Sequence, residues 1–349
     1  MKIALLTIWH EMNYGAELQA YSTIKALKML GHDVQMIDIR LSDSRDTNIK
    51  SIIAEFISSL GPARKKFEKF WRDNIPVTRR YHSIEQLRES PPEADVYLVG
   101  SDQVWNPDIT GRFALLYFLN FGEEKIIRGS YASSFGTEMW YSDHLSQEVR
   151  PLLDRFSFLG CRELTGVEIM KNTFNLNSTL TLDPTLLFDT YPELTGNISQ
   201  KETLLFYPLS NDQELKKYAE GVADQLGLKL VNNKETHKLM NRFLWDRVSV
   251  EEWVRNIAEA QFVITRSFHG LVFSILYRKP FAIIANNNNR STRVLNLLSQ
   301  LGLSDRYYDN FDSCDKAKPW DNPIDYDSVH ARLSALRENS LKFLTDCLK

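Results

Sequence analysis

The 349-residue sequence predicts an α/β protein built from two Rossmann-like domains with a C-terminal helix after them. First, short apolar segments such as residues 2–8 are typical of strands that a parallel sheet buries on both faces. Second, turns and segments of helical period follow these strands, which is the alternation of βαβ units. Third, the alternation stops in the polar stretch 191–200 and then restarts. We therefore predict domains at 1–190 and 191–325 and a helix at 326–349.

The composition is that of an ordinary globular protein, with 43% hydrophobic and 25% charged residues. The net charge of −3 argues against nucleic acid as a partner, because such binding draws on an excess of positive charge. The cysteines, Cys161, Cys314 and Cys347, lack metal-ligand spacing and indicate reduced thiols. The first apolar run is too short for a signal peptide, and no window reaches the roughly 20 apolar residues of a membrane span. We therefore expect a cytoplasmic protein with no transmembrane segment.

The first domain opens with a predicted βαβ unit. A strand at 2–8 is followed by the Asn-Tyr-Gly turn at 13–15, by a helix that stops at Gly31, and by a strand at 34–39. The turn contains one glycine, whereas a dinucleotide-binding fingerprint needs three. We therefore do not predict a dinucleotide site here.

A polar stretch at 43–80 carries basic clusters at 64–66 and 79–80 around a segment of helical spacing. We interpret it as a solvated helix with a loop. The alternative is a basic amphipathic surface that contacts an anionic membrane or a diphosphate. This alternative leaves open a peripheral contact with the cytoplasmic membrane.

A strand at 95–99 leads into a segment rich in polar and aromatic groups, Gly100-Ser101-Asp102-Gln103-Val104-Trp105-Asn106. Carboxylate and amide oxygens accept hydrogen bonds from sugar hydroxyls, and an indole ring stacks on the apolar face of a pyranose. We therefore predict that Asp102, Gln103, Trp105 and Asn106 face a sugar. The alternative is a polar loop in which Trp105 only fills space.

Three further strands of this domain are predicted at 126–132, 156–161 and 180–182. The last two lead into the pair Arg162-Glu163 and into Asp183. Residues at the carboxyl edge of a parallel sheet are candidates for ligand binding. The alternative for Arg162-Glu163 is a surface ion pair, which would contribute little to stability.

The second domain repeats the alternation. We predict strands at 203–207, 228–231, 260–265 and 281–285 and helices at 214–226, 250–259 and 271–277. The segment Thr265–Gly270 lies at a strand-to-helix turn, where ligands bind in open α/β sheets. His269 is therefore a candidate site residue, and we expect the glycine after it to let a ligand approach the backbone. The alternative is a buried structural histidine. The asparagine loop at 286–289 then brings Arg290 and Arg293 to the same edge.

Seven segments, in order, resemble those of the polysaccharide pyruvyl transferase family over most of the chain. They are Asn13-Tyr14-Gly15-Ala16, Gly100–Asn106, Ser130–Gly136, Arg162-Glu163, Asp183-Pro184-Thr185, Ser267-Phe268-His269-Gly270, and Ser291–Val294 with Leu297-Leu298. The resemblance implies a GT-B-like fold and an enzyme that moves the pyruvyl group of phosphoenolpyruvate to two hydroxyls of a sugar, forming a ketal and releasing phosphate. It also implies that an arginine matching Arg162 and an Arg-x-His element bind this donor. Here Ser267 occupies the arginine position of that element, so Arg266, Arg290 and Arg293 are considered in its place.

The residues and the resemblance together predict a set of roles. For catalysis we predict His269 as a proton donor or phosphate contact and Asp102 or Asp183 as the acceptor of a hydroxyl proton. For phosphoenolpyruvate we predict Arg162, Arg266, Ser267, Arg290 and Arg293. For the acceptor glycan we predict Asn13, Tyr14, Gly15, Gln103, Trp105 and Asn106. No cluster has the spacing of metal ligands, and we expect neither a metal nor a cofactor.

The predicted acceptor is a precursor of a cell-surface or capsular glycan, and the sequence leaves open whether a lipid carries it. Two other functions stay in view. One is a glycosyltransferase of the same architecture that uses a sugar nucleotide, because a fold alone does not fix the chemistry. The other is a non-catalytic glycan-binding protein. Release of phosphate from phosphoenolpyruvate separates pyruvyl transfer from both.

Overall fold

The structure, a computed structural model, describes residues 1–39, 61–208, 212–232, 234–235, 246–285 and 291–349. Arg290, the loop at 286–289 and the part of the polar stretch before residue 61 lie outside the described residues. The described residues form two compact units. Unit 1 comprises 1–39, 71–187 and 335–349, and unit 2 comprises 61–70 and the described part of 188–334. Of the helices in these ranges, none combines the length and the hydrophobicity of a membrane span.

Unit 1 is built on a sheet of seven parallel strands, which confirms the first Rossmann-like half. In chain order they are β1 (Lys2–Leu6), β2 (Asp33–Ile39), β3 (Val77–Tyr81), β4 (Val96–Val99), β5 (Ile127–Ser133), β6 (Phe158–Cys161) and β7 (Thr179–Leu180). Their spatial order is β3-β2-β1-β4-β5-β6-β7. The order reverses between β1 and β4, which pair directly, Ile3 opposite Val96. In such sheets ligands bind beyond the carboxyl ends of the two strands at the reversal.

Helices connect these parallel strands, as parallel pairing requires. They are α1 (Tyr14–Met29), α2 (Pro62–Asn74), α3 (Ile84–Glu89), α4 (Pro107–Thr110), α5 (Asp143–Leu153) and α6 (Leu164–Asn172), with 3₁₀ helices at Gly111–Phe118 and Pro184–Leu187. Helix α2 passes from unit 2 into unit 1 at Trp71. The core of unit 1 contains the apolar side chains of the central strands together with several aromatic rings, among them Leu6, Val99, Trp105 and Phe135. Burial of this apolar surface is the main term that stabilises the unit.

Unit 2 is built on a sheet of five parallel strands, which confirms the second Rossmann-like half. The strands of the unit are β8 (Thr203–Tyr207), β9 (Lys229–Asn232), β10 (Lys234–Glu235), β11 (Asp246–Arg247), β12 (Phe262–Thr265), β13 (Phe281–Ile284) and β14 (Tyr307–Tyr308). The five-stranded order is β14-β13-β12-β8-β9, and β10 pairs with β11 in a separate antiparallel ladder. Here the order reverses between β8 and β12, so the turn after β12 occupies the corresponding ligand position.

Helices also connect the parallel strands of unit 2. They are α7 (Pro192–Thr195), α8 (Gln213–Leu226), α9 (Val250–Glu259), α10 (Phe268–Leu276), α11 (Thr292–Leu301) and α12 (Phe311–Ala317), with a 3₁₀ helix at Ser304–Arg306. Ser249 caps α9, because its side chain accepts a hydrogen bond from the Glu252 N–H at 3.1 Å. Gly227 ends α8 at a φ of 66°, in the left-handed region that glycine adopts without strain.

The last helix, α13 (Tyr326–Cys347), is divided between the units at 334/335. Its final part belongs to unit 1. There the Ser340 hydroxyl accepts a hydrogen bond from the Leu182 N–H at 2.9 Å. The ring of Phe343 packs edge-on against Phe158, with centroids 5.9 Å apart. The helix is therefore an integral part of the sheet edge at β6 and β7.

Some details of the architecture differ from the predictions. Strand β3 is absent from the predicted elements, because its Val-Thr-Arg-Arg-Tyr sequence is polar and lies at the sheet edge, where one side has no neighbour among the described strands. Tyr191, predicted as part of a linker, is fully buried, and a short helix follows it. The units also differ from the predicted domains, because 61–70 groups with unit 2 and 335–349 groups with unit 1.

Candidate active site

The loop after β4 places Asp102 at the reversal point of the seven-stranded sheet. Its φ of 74° lies in the left-handed region, which is strained for a residue with a side chain. Backbone pairing holds this geometry, since Asp102 forms a bridge with Ser133 and its carbonyl accepts from the Ser134 N–H at 3.0 Å. The carboxylate accepts from the Gln103 N–H at 2.9 Å. With 16% of its side chain exposed, Asp102 is a fixed and accessible carboxylate.

Arg162, directly after β6, is buried among carboxylates. Its Nη1 donates to Asp183 Oδ2 at 2.8 Å, Nη2 lies 3.4 Å from Asp102 Oδ1, and Nε lies 3.8 Å from Glu163 Oε2. Burial disfavours the charged guanidinium, but the negative charges of Asp183, Asp102 and Glu163 outweigh it and raise the pKa of Arg162. Because Arg162 and Glu163 are both almost fully buried, the surface-ion-pair interpretation is wrong.

Asp183, after β7, is an anchor for this arginine. It is 1% exposed. Besides Arg162, it accepts from the Ser101 hydroxyl at 3.0 Å and from the N–H and hydroxyl of Thr185 at 3.0 and 2.5 Å. A buried carboxylate is tolerated when it is paired and hydrogen-bonded in this way. Asp183 therefore fixes Arg162, which in turn contacts Asp102.

Glu163 organises the loop after β5. Its Oε1 accepts from the Ser134 hydroxyl at 2.8 Å and from the N–H groups of Phe135 and Gly136 at 3.1 and 3.2 Å. Gly136 has a φ of 66°, and a Cβ there would lie 2.1 Å from Gln103 Oε1. The left-handed backbone favours glycine at this position, and the side chain of Gln103 packs directly on the turn.

Trp105 does not present a ring to a ligand. Its side chain is 0% exposed, and its Nε1 donates to the Tyr117 carbonyl at 3.1 Å. The ring stacks on Phe118, with centroids 5.8 Å apart and planes 5° apart, and tilts against Phe135. The predicted sugar-stacking role of Trp105 does not fit this structure. The alternative interpretation, in which Trp105 fills the core, describes it.

The other predicted acceptor residues divide into two groups. Tyr14, Gly15 and Asn106 are buried. Asn106 also caps α4 by accepting from the N–H two residues later at 3.0 Å. Asn13 caps α1 by accepting from the Gly15 N–H at 3.0 Å and is exposed, and Gln103 is half-buried. Of the six, Asn13 and Gln103 are placed to meet a solute.

Apart from Asn13, the loop after β1, at the other side of the reversal point, was not predicted to contribute to the site. His10 and Met12 have φ values of 68° and 48°, in the left-handed region. Glu17 of α1 fixes this loop through hydrogen bonds to its backbone. Its carboxyl group accepts from Trp71 Nε1 at 2.6 Å and from the N–H groups of Glu11 and His10 at 3.1 and 3.5 Å. Burial raises the pKa of Glu17 to about 8, although these hydrogen bonds lower it.

Aromatic rings gather in the same loop. The imidazole of His10 stacks on the indole of Trp71, with centroids 3.6 Å apart and planes 30° apart. Trp9 meets both rings edge-on. A signal for this cluster was present in the sequence, since Trp9 and His10 follow an apolar strand directly. The partner Trp71 was not foreseeable, because it is distant in the chain.

In unit 2, the turn after β12 places His269 in the first turn of α10. The Thr265 hydroxyl accepts from the Ser267 N–H at 3.0 Å and donates to the Tyr207 carbonyl at 2.7 Å. The Ser267 hydroxyl caps the helix by accepting from the Gly270 N–H at 3.3 Å. His269 is 7% exposed. The positive end of the helix dipole therefore lies at this histidine and favours an anion there.

Gly270 has a structural role in the packing of α10. A Cβ at this position would lie 2.6 Å from Thr265 Oγ1 and 3.0 Å from Thr265 Cγ2. The glycine is needed because the helix packs closely on the end of β12. The approach of a ligand to its backbone stays a prediction.

Two arginines accompany this turn. Arg266 Nη1 lies 2.9 Å from Asp212 Oδ2, and its guanidinium lies over the Phe311 ring at 6.0 Å. The guanidinium of Arg293 lies over Phe268 at 5.7 Å, which brings it next to the His269 turn. Arg290 lies outside the described residues. Within those residues, no group of three or more His, Cys, Asp and Glu side chains is arranged to hold a metal ion.

Comparison with known proteins supports both family and fold. The family model for polysaccharide pyruvyl transferase matches residues 13–288. Among solved structures, the chain is similar to the glycotransferase of kitacinnamycin (12% identity, 100% and 99% of the two chains covered, TM-score 0.53). It is also similar to S. aureus MnaA in a co-structure with UDP (10%, 99% and 97%, 0.55) and to UDP-GlcNAc 2-epimerase from Methanocaldococcus jannaschii (12%, 91% and 92%, 0.51). Curated protein sequences give no match. The structural likeness shows a GT-B-like fold.

Proposed function

Because the chain belongs to the polysaccharide pyruvyl transferase family, we propose that it transfers the pyruvyl group of phosphoenolpyruvate to two hydroxyls of one sugar in a glycan. The products are a pyruvyl ketal and phosphate. The family match, which spans residues 13–288, carries this proposal. The contrast between an acidic edge in unit 1 and a basic turn in unit 2 supports it, because the acceptor is a neutral alcohol and the donor is an anion.

The proposed chemistry balances without a redox partner or a further reactant. A proton added to the methylene carbon of phosphoenolpyruvate makes the neighbouring carbon an oxocarbenium centre. The first sugar hydroxyl attacks that centre, and the proton it loses replaces the one given to carbon. The C–O bond to phosphate then breaks, the second hydroxyl attacks, and its proton leaves with the phosphate. Both steps need a proton acceptor near the sugar and a proton donor near the phosphate.

On the acceptor side, Asp102 takes the hydroxyl proton in this proposal. It is the accessible carboxylate of the group, whereas Asp183 and Glu163 are buried beneath it. Arg162 positions Asp102 in this assignment, since its guanidinium is buried among the three carboxylates. Asn13 and Gln103 contact the glycan.

On the donor side, the turn after β12 receives the phosphate and carboxylate of phosphoenolpyruvate. His269 supplies the proton, and Arg266, Arg293 and the Ser267 turn bind the anion. The helix dipole of α10 adds a favourable partial charge. Arg290 is included in the proposed donor site because it lies close to Arg293 in the sequence.

The proposed acceptor is a precursor of a capsular or other exported polysaccharide, carried by a lipid or free, and the proposed place of reaction is the cytoplasm. We also propose that the basic residues of α2 contact the inner face of the membrane. Lys66 of that helix donates to the Arg247 carbonyl at 2.9 Å, and Arg64 pairs with Glu68 at 2.9 Å.

The decisive test incubates the protein with phosphoenolpyruvate and a panel of free and lipid-linked glycans. We expect phosphate release that depends on the glycan and a product whose mass has increased by one pyruvyl ketal. The variant Asp102→Asn is the matched control, because it keeps the size and backbone preference of the residue but cannot take the proton. Transfer from a sugar nucleotide without use of phosphoenolpyruvate would instead show a glycosyltransferase. Glycan binding with neither reaction would show a binding protein.

A further inference from the structure

His10 and Glu11, in the loop after β1, have no role in the function proposed above, although this loop lies at the reversal point opposite Asp102. We infer that His10, backed by Trp71, is a stacking surface for a neutral pyranose of the acceptor glycan, and that Glu11 and Asp102 accept hydrogen bonds from hydroxyls of the same sugar. This inference rests on the proposed function, because it names the part of the site that recognises the acceptor. The sugar-stacking role first predicted for Trp105 is thereby assigned to the imidazole ring of His10.

The position supports a ligand site. Strands β1 and β4 are adjacent at the reversal of the strand order, and His10 and Asp102 follow their carboxyl ends. In open α/β sheets the crevice at this point is where ligands bind. Both residues also have a left-handed backbone, with φ values of 68° and 74°. Strained residues of this kind persist where the surrounding structure fixes them, and they concentrate at functional sites.

Two polar side chains of α1 fix the loop. Gln19 Nε2 donates to the Ile8 carbonyl at 2.8 Å. Glu17 accepts from the N–H groups of His10 and Glu11 and from the indole of Trp71. Glu17 and Gln19 are both fully buried. The stacked pair is therefore held in place before any ligand arrives, which reduces the entropy lost on binding.

The ring geometry suits a sugar. His10 is half-buried, and Trp71 is 5% exposed and stacks beneath it at 3.6 Å. A flat aromatic surface with polar edges favours a ligand that has an apolar face and hydroxyls around its rim. Trp105 has no such exposure, so it cannot serve in this way.

The charges nearby favour a neutral sugar over an anionic one. Glu11 is exposed and follows His10 in the chain, and Asp102 follows β4, the strand paired with β1. Glu11 and Asp102 can accept hydrogen bonds from sugar hydroxyls. A uronic acid or another anion would meet like charge here.

The test measures binding without catalysis. Methyl glycosides of galactose, glucose and mannose, and the methyl glycoside of glucuronic acid as the anionic counterpart, are titrated by saturation-transfer NMR. His10→Asn removes the ring but tolerates a left-handed backbone, so it should fold. The matched control is His32→Asn, a half-buried histidine before the amino end of β2 at the opposite edge of the sheet.

We expect at least one neutral glycoside to bind, and its Kd to rise about two- to tenfold in His10→Asn and to stay unchanged in His32→Asn. The glucuronide should bind more weakly than its neutral counterpart. Equal Kd values in His10→Asn and wild type, or tighter binding of the glucuronide, would overturn the inference.

Kinetics with phosphoenolpyruvate separate this inference from the proposed function. If pyruvyl transfer occurs and His10→Asn raises the KM for glycan but not for phosphoenolpyruvate, both stand. If transfer occurs and the KM for glycan is unchanged, the stacking surface is refuted and the function stands. If no phosphate is released by the wild type, yet glycoside binding is lost in His10→Asn, the proposed function fails and the sugar site stands.

Discussion

The carboxyl edges of the two sheets have the same strand-to-helix geometry and opposite electrostatics. In unit 1, Asp102, Glu163 and Asp183 surround a single buried guanidinium, that of Arg162. In unit 2, Arg266, Arg293 and His269 gather at a helix amino end beside the rings of Phe268 and Phe311. The architecture thus provides two equivalent positions, and the residues that follow each strand decide what it can bind. An acidic edge suits removal of a hydroxyl proton, and a basic turn suits an anionic donor.

The sharpest test of the basic turn is His269→Ala. A positioned acid contributes about 10²–10⁴-fold to rate, so we expect kcat to fall on that scale while the melting temperature changes little. The control is His330→Ala, which removes a histidine of unit 2 whose Nε2 lies 3.0 Å from the Ile275 carbonyl and should affect stability alone. A His269→Ala protein that melts much lower yet turns over near the wild-type rate would make this histidine structural.

Asp183→Asn removes the buried partner of Arg162 and so tests what holds the acidic edge together. Removing one partner of a buried ion pair costs about 3–5 kcal/mol, because the charge left behind is uncompensated. We expect this loss in the free energy of unfolding, measured with denaturant. The control is Asp327→Asn, which removes the partner of Arg278 in an exposed pair and should cost little. If Asp183→Asn unfolds like wild type, Asp183 does not anchor the network.

The catalytic part of the same edge is tested with Asp102→Asn. Asparagine tolerates the left-handed backbone and still accepts the hydrogen bond from the Gln103 N–H, so stability should be retained. We expect kcat to fall by about 10²-fold or more, since the residue can no longer take a proton. An activity close to wild type would move the role of base to another residue and would weaken the contrast between the two edges.

The arginines of unit 2 are expected to differ in role. Arg293→Ala should raise the KM for phosphoenolpyruvate about 10- to 100-fold, since hydrogen bonds to charged groups contribute about 1.5–3 kcal/mol. The KM for the glycan should not change. Arg278→Ala, at an exposed ion pair of the same unit, is the control. A rise in the glycan KM instead would place Arg293 on the acceptor side.

The last expected effect concerns the loop after β1 and pH. The pKa of Glu17 is raised by burial from its ordinary 4.5 to about 8, so the folded protein keeps a proton that the unfolded chain releases between these values. Its contribution to stability is therefore complete below about pH 4.5 and is lost as the pH rises toward 8. Melting temperatures from pH 5 to 8.5 should fall more in wild type than in Glu17→Gln. A wild type that gains stability over this range relative to Glu17→Gln would show that Glu17 is ionised.

Most strands and helices could be predicted from local pattern, because buried parallel strands are continuous apolar runs between turn residues. Strand β8 and helix α9 have the predicted bounds. Strand β3 could not be found in this way, since half of an edge strand faces solvent and its residues are polar. Local pattern is a sufficient guide where a segment is buried on both faces, and a poor one at the edge of a sheet.

The site was predictable in position and less so in detail. The strand ends indicated Asp102, Arg162 and Asp183, and the structure brings these three together. The sequence could not show that the guanidinium is enclosed, because its partners lie 21 and 60 residues away. Trp105 was misjudged for the same reason: whether an indole after a strand points outward or into the core depends on neighbours such as Phe118.

The final helix has a consequence for synthesis of the protein on the ribosome. Ser340 satisfies the backbone of Leu182 across 158 residues of chain, and Phe343 covers Phe158. The edge of unit 1 at β6 and β7 is therefore covered by the end of α13. The ribosome translates this segment after all of unit 2. Contacts of such long sequence separation slow folding, because the loop must close before they form. A fragment ending at residue 190, which the sequence alone suggests as a domain, would leave this edge uncovered and prone to aggregation during expression.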